Sequence, residues 1–380
     1  MTADDLSEGE VIRRFKQISE KNSEYSERKE EYKREVLAQE EEEIRDRLEK
    51  GIQRDKKHDN LLRQTISAFL PGGPIERETE WTFLGAEPLC EQNLPNADAL
   101  FGNPERNMAL LVECKTSLSR PTQALKQVYD ATENIRDNLD YLSEKVGMEI
   151  DELECAICIP SVVDRRIISQ IEEHEEQNQD REKVFVWRIH HFDGETLDLY
   201  TDIETREDGE MTHNSELAPI LNAGVELTYG RQVMPAFFPS SHPEVIMEEL
   251  FSSIIENRLM DDKPFRHFKG EEIQSELTSQ KNLPHYDADV IGERIYSELI
   301  RRFKEFNLIS ELSSSETDLE VDENECVFKY QVRGKSPDTV IANLRKRYLN
   351  RAVEDQAEIK AKRQVIDEFD EEQSALADFW

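Results

Sequence analysis

Residues 7–56 contain no proline and are dense in Glu, Lys and Arg. Val11, Phe15, Ile18, Tyr25, Tyr32 and Val36 recur along the stretch at spacings of three, four and seven, and Ile44, Leu48 and Ile52 continue the pattern. This period belongs to a long helix with a narrow apolar stripe and a charged remainder. Such a stripe must meet another surface. It serves either as a coiled-coil arm that pairs with a second copy of the chain, or as a helix laid along its own domain. The sequence predicts a charged helical arm over residues 1–58.

The chain has 380 residues, with 83 acidic and 48 basic side chains and a formal net charge of −35. Two readings fit that excess: an acidic protein kept apart by self-repulsion, or one adapted to a very salty, halophilic cytoplasm. At ordinary salt the charge repels nucleic acid, whose affinity rests largely on phosphate neutralisation. In high salt the Debye length falls to a few ångströms, and local basic patches decide binding. No run of 18 apolar residues is present, so no membrane partner is expected. The opening MTADDLSEGE is acidic and lacks the apolar core of a signal peptide. Five widely spaced cysteines, at 90, 114, 155, 158 and 326, argue against a disulfide framework and for a reducing cytoplasm. Cys155 and Cys158 form a CxxC inside an apolar run with no second pair to complete a zinc site, which reads as a buried strand.

A short helix is expected over 61–70, ending at Pro71-Gly-Gly-Pro74. Strands are expected at 81–84, 97–101, 109–114, 155–159, 184–189 and 196–200, and helices at 122–141 and 165–177. That order predicts an α/β domain over 59–205 with a mixed central sheet flanked by helices. Residues 206–242 read as a connection. Helices at 243–259, 270–278 and 288–306, then strands at 308–312 and 326–333 and a helix at 337–349, give the element order of a winged helix over 243–350. A charged helical tail is expected over 351–380.

One strand ends unusually. In Met108-Ala-Leu-Leu-Val-Glu-Cys-Lys115, alternation places Leu110, Val112 and Cys114 on one face and Leu111, Glu113 and Lys115 on the other. Asp98 stands at the head of the preceding apolar strand. Two carboxylates from adjacent strands can hold Mg²⁺ or Mn²⁺, and the carbonyl of Cys114 can add a ligand. An ion so held polarises a phosphodiester, and Lys115 can orient water and stabilise developing negative charge. The competing reading is a structural Glu113–Lys115 pair at a sheet edge.

Asp98, a loop, and Glu113-x-Lys115 closing an apolar strand resemble the PD-(D/E)XK, restriction-endonuclease-like nuclease superfamily. The following helix, with Gln127 and Tyr129, is similar to the one that completes the site in several branches. The resemblance covers about 140 residues and implies that Asp98 and Glu113 are metal ligands, Lys115 the catalytic lysine and Gln127 an accessory residue, with Gln123 its rival. The chain departs from the pattern in reading Pro95-Asn-Ala-Asp98, and in having no acid within 61–70. Asp59 at the start of that helix, or Glu76, Glu78 or Glu80, would have to supply the first-helix acid.

A winged helix lays its third helix in the major groove. Here that helix carries Arg294, Arg301, Arg302 and Lys304. From Lys329 to Arg351 seven basic residues (Lys329, Arg333, Lys335, Arg345, Lys346, Arg347, Arg351) stand against Asp338 alone. This local excess marks DNA as the expected partner. The stretch 311–325 holds seven acids and should avoid DNA. His190 and His191 are adjacent in a strand and so face opposite ways, which reads as a turn flank. No Walker loop, GxSxG or HExxH is present.

The expectation is a cytoplasmic, Mg²⁺- or Mn²⁺-dependent nuclease that binds DNA and dimerises through its N-terminal helix. Two alternatives stand beside it: a catalytically silent nuclease-like DNA-binding or regulatory protein, and an interaction module built on the arm and the winged helix.

Overall fold

In a computed structural model the described residues are 3, 6–89, 92, 94, 96–117, 120–161, 169, 173, 183–192, 196–200, 212–227, 237–261, 263–277, 288–312 and 326–377. Within these, side chains at 21, 190–192, 196–200, 226–227, 288–295 and 375–377 lie outside the description. The expected helix at 165–177 falls outside the described residues.

Seven strands form one mixed sheet: β1 (Thr82–Ala86), β2 (Ala99–Asn103), β3 (Met108–Cys114), β4 (Glu152–Pro160), β5 (Val184–Phe192), β6 (Thr196–Tyr200) and β7 (Val225–Leu227). They lie side by side in chain order. The first three form an antiparallel meander, β3–β4 and β4–β5 are parallel, and the last two pairs are antiparallel. Parallel neighbours need a crossover. Between β3 and β4 it is supplied by α4 (Pro121–Asp137) and α5 (Leu139–Val146). The sequence predicts one helix there, but Asn138 interrupts it, and α5 ends at Gly147 with φ +67°, a conformation glycine adopts without strain. The fold is therefore mixed α/β.

Both faces of the sheet are covered. Leu110, Val112 and Cys114 join one apolar cluster with Leu61, Leu62, Ile66 and Phe69. Ala109 and Leu111 join another with Leu125, Val128, Tyr129 and Ile135 of α4. The alternation read from the strand thus matches the two faces, and strands buried on both sides read as continuous apolar runs. The stretch expected to be a connection contains α6 (Leu217–Ala223) and β7, and β7 extends the sheet past residue 205.

The chain divides into two units, one of residues 54–301 and 311–328, the other of 1–53, 302–310 and 329–380. In the first, α7 (Pro243–Met260), β8 (His267–Lys269) and α8 (Gly270–Leu277) follow the large sheet. β8 is too short to leave a period in the sequence. Next in the chain come α9 (Ala288–Glu305), β9 (Ile309–Leu312) and β10 (Val327–Tyr330), and β8, β10 and β9 pair in that order.

In the second unit, α1 (Glu8–Lys21) and the first part of α2 (Glu24–Ser67) join α10 (Pro337–Ala377). The predicted single arm is broken at Asn22, whose side chain accepts the N–H of Glu24 and so caps α2. α2 then continues without interruption to Ser67, where a separate short helix was expected. The expected tail is likewise continuous with the helix begun at Pro337. Val11, Phe15, Ile18 and Tyr25 are buried with Val365 and Ile366 of α10, and Val36 and Ile44 with Val353 and Ala357. The narrow stripe is therefore covered from within the chain. Arg14–Asp370, Arg28–Glu368 and Lys33–Glu358 ion pairs, at 2.5, 2.5 and 2.9 Å, flank it.

Candidate active site

The carboxyl end of β3 and the head of β2 meet because their antiparallel register sets Ala99 opposite Val112. Asp98 then falls beside Cys114, and the Cys114 N–H donates to Asp98 Oδ2 at 2.6 Å. Glu113 and Lys115 share a face, and Lys115 Nζ donates to Glu113 Oε1 at 2.5 Å. The other oxygen, Oε2, is buried and has no hydrogen-bond partner among the described residues. Burial and the nearby charge of Asp98 push the Glu113 carboxyl up to about 7, against the opposing pull of Lys115. Burial lowers the Lys115 pKa, but the charge of Glu113 and the bond to it outweigh that, and the net shift is upward. Lys115 thus stays a cation.

Three further groups converge here. His58 on α2 places Nε2 3.2 Å from Asp98 Oδ2, and its Nδ1 lies 3.9 Å from Asp59 Oδ1. Burial opposes its charge, yet its interactions with the Asp59 and Asp98 carboxylates prevail and raise its pKa to about 10. Asp59 is buried and accepts from Ser241 Oγ at 2.6 Å. Glu87 follows β1, and its N–H donates to the Asp98 carbonyl at 3.1 Å, one step along the β1–β2 ladder. Its carboxylate accepts from the N–H and Oγ of Ser240. Burial, aided by the charges of Asp98 and Asp59, pushes it up to about 7 despite those bonds.

The ends of three successive strands and one turn of α2 therefore gather four carboxyl groups around two cations. Asp59 lies well inside α2 rather than at a helix start. Of its rivals, Glu78 and Glu80 are exposed, and Glu76 accepts the Gly72 N–H at 3.0 Å. Glu87 and His58 were missed by sequence reading. Glu87 carried one signal, its place directly after a strand that neighbours the Asp98 strand.

Gln127 does not join the group. It is exposed on α4, as is Gln123, because that helix turns Leu125, Val128 and Tyr129 to the sheet. Among the described residues no hydrogen bond ties Gln127 to Asp98, Glu113 or Lys115. The Cys114 thiol is turned into the core, 3.7 Å from Thr65 Oγ1, so only the backbone of Cys114 can serve the site. Cys155 and Cys158 are buried in β4 and are not joined in a disulfide. The side chains of His190 and His191 lie outside the described residues.

The basic candidates divide by what they touch. The Arg302 guanidinium lies over the rings of Phe306 and Tyr348, 5.2 and 5.7 Å from their centroids. Arg347 donates to the carbonyls of Asn307 and Gln331 at 2.9 and 2.5 Å. Both hold their own unit together. Arg301, Lys329, Arg333, Lys335, Arg345 and Lys346 are exposed. The side chain of Arg294 lies outside the described set, as do residues 313–325 of the acidic stretch.

No family model matches the chain. A protein of Archaeoglobus fulgidus, described as an uncharacterized protein, is 22% identical over 339 residues, covering 83% of this chain and 86% of that one. No solved structure matches. Among the described residues no helix is long and apolar enough to cross a membrane.

Proposed function

We propose that this protein is a metal-dependent nuclease acting on DNA, with its site at Asp98, Glu113 and Lys115 on a restriction-endonuclease-like core. The observation that carries the reading is Glu113 Oε2, a buried carboxylate oxygen beside a second carboxylate and without a partner among the described residues. An unsatisfied buried acceptor is costly unless something binds it. The meander β1–β2–β3, the crossover α4 and the parallel β4 also follow the element order that the resemblance implies. Three helices with β8, β9 and β10 are likewise consistent with a winged helix.

The donor set, all oxygens, suits a hard cation. Mg²⁺ or Mn²⁺ held by Asp98, Glu113 and the Cys114 carbonyl would supply Lewis acidity at a phosphodiester. The chain's own groups do the rest. Lys115, kept cationic, orients the attacking water and donates to the charge that develops on the phosphate oxygens. His58 holds Asp98 in place, and Asp59 holds His58.

A second reading, a silent nuclease-like domain, is favoured by one observation. Among the described residues no three His, Cys, Asp or Glu side chains are arranged to hold an ion as they stand. A cleavage assay on duplex and single-stranded DNA with Mg²⁺ or Mn²⁺, from low to molar KCl, separates the two. Metal-dependent cutting lost in Glu113→Ala and Lys115→Ala, both still folded, supports the nuclease. No cutting in any salt, with DNA binding retained and Lys115→Ala indifferent in cells, supports the silent domain.

A further inference from the structure

The unit of residues 1–53, 302–310 and 329–380 carries a cleft of about 400 Å³ lined by Gln331, Val332, Arg333, Asn343, Lys346, Arg347 and Asn350. Three of these are cationic and none is acidic, in a chain of formal net charge −35. We propose that this cleft binds the phosphates of a polynucleotide strand. Of the two basic regions expected to meet DNA, the assignment keeps the loop after β10 with the first turns of α10 and leaves out α9, and it does not rest on the nuclease reading.

The cleft is built, not incidental. Gly334 lets the loop press on α10: a Cβ there would stand 2.7 Å from Val340 Cγ2 and 2.9 Å from the Val340 N. Asn343 Nδ2 donates to the Arg333 carbonyl at 2.6 Å and ties the loop to the helix. Val332 is buried beneath. Arg347 spends only Nη1 on the carbonyls of Asn307 and Gln331, so its charge is fixed at the wall with other N–H groups left to donate. Among the described residues neither the Arg333 guanidinium nor the Lys346 ammonium has an ion-pair or hydrogen-bond partner. Preplaced guanidinium groups with an adjacent ammonium suit phosphate oxygens.

Two features favour a strand over a small anion. At about 400 Å³ the cleft is larger than a small anion needs. Exposed Lys329, Lys335 and Arg345 continue the basic character to either side in sequence, as successive phosphates would require.

The test is fluorescence anisotropy of a labelled 20-nucleotide DNA strand with the full chain in EDTA, across a KCl series. Arg333→Glu and Lys346→Glu should each weaken binding and flatten the slope of log K against log [KCl] by about 1. Lys346→Arg should restore it, and Lys50→Glu, an equal charge change on exposed α2, should leave it unchanged. Because EDTA removes any divalent ion, binding is read without cleavage, so that loss of the nuclease reading leaves this one standing. Absence of binding in any salt, indifference to both cleft substitutions in folded protein, or displacement by inorganic phosphate at the concentration that displaces DNA would each overturn the proposal.

Discussion

The backbone N–H of Cys114 donates to Asp98 Oδ2 at 2.6 Å, so a side chain at the head of one strand is fastened to the main chain at the end of the next. The bond continues the β2–β3 pairing beyond its last backbone rung and aims Asp98 at Glu113. Asp98 also receives His58, so its carboxylate serves structure before any ligand arrives.

Asp98→Ala should therefore destabilise the fold as well as the site. It leaves a Cys114 N–H without its acceptor and deprives His58 of one of its two carboxylates. The expected loss is about 1–3 kcal/mol, the cost of an unsatisfied group. Urea denaturation reads it, and Asp98→Asn should recover part, since the amide oxygen can still accept from Cys114.

Divalent metal should stabilise the wild type. A ligand bound by the folded state alone adds about 2.7 kcal/mol at one hundred times its dissociation constant. Thermal unfolding should shift upward with Mg²⁺ or Mn²⁺, and EDTA should reverse the shift. Glu113→Gln keeps the shape but removes the charge and should abolish the response, while K⁺ at equal ionic strength should not mimic it.

Phe15 lies between the ammonium groups of Lys29 and Lys362, each about 6 Å from its ring, in the cluster that joins α1 to α10. Phe15→Ala should cost about 3 kcal/mol through the cavity it leaves. Ile12, half exposed one turn away, should tolerate alanine within about 0.5 kcal/mol. Equal effects in denaturation would contradict this packing.

Glu358 gives the acid side of the pH profile. Burial raises its pKa, but the bonds from Lys33 and Lys362 and the nearby charge of Lys29 outweigh this and bring it down from 4.5 to about 2. A depressed carboxyl contributes stability above its ordinary pKa and loses it as protons bind the folded state. That contribution should be complete above pH 4.5 and vanish as pH falls through about 2. Between those limits wild type should lose stability more steeply than Glu358→Gln.

The charge of −35 should make the whole chain salt-dependent. Self-repulsion destabilises a compact state, and salt screens it. The unfolding temperature should rise from low to molar KCl, whereas a protein with balanced charge would show little change.

Much of this protein was determined by its sequence alone. A period of two placed Leu110, Val112 and Cys114 on one face and Glu113 with Lys115 on the other, and both faces are found as read. Every strand expected between 81 and 200 is present within a few residues, because these runs are apolar and bounded by turn formers. Helical periods likewise located α7, α8 and α9. The breaks at Asn22 and Asn138 were not legible, since one asparagine can interrupt a helix, at Asn22 by accepting the Glu24 N–H, without interrupting its apolar spacing. Tertiary structure decided the rest. Periodicity says which face a residue takes, but not which distant face it meets. Only strand register brings Glu87 beside Asp98 and Asp98 beside Glu113, only the run of α2 across the sheet delivers His58 and Asp59, and only the length of α10 supplies the surface that covers the stripe of α1 and α2.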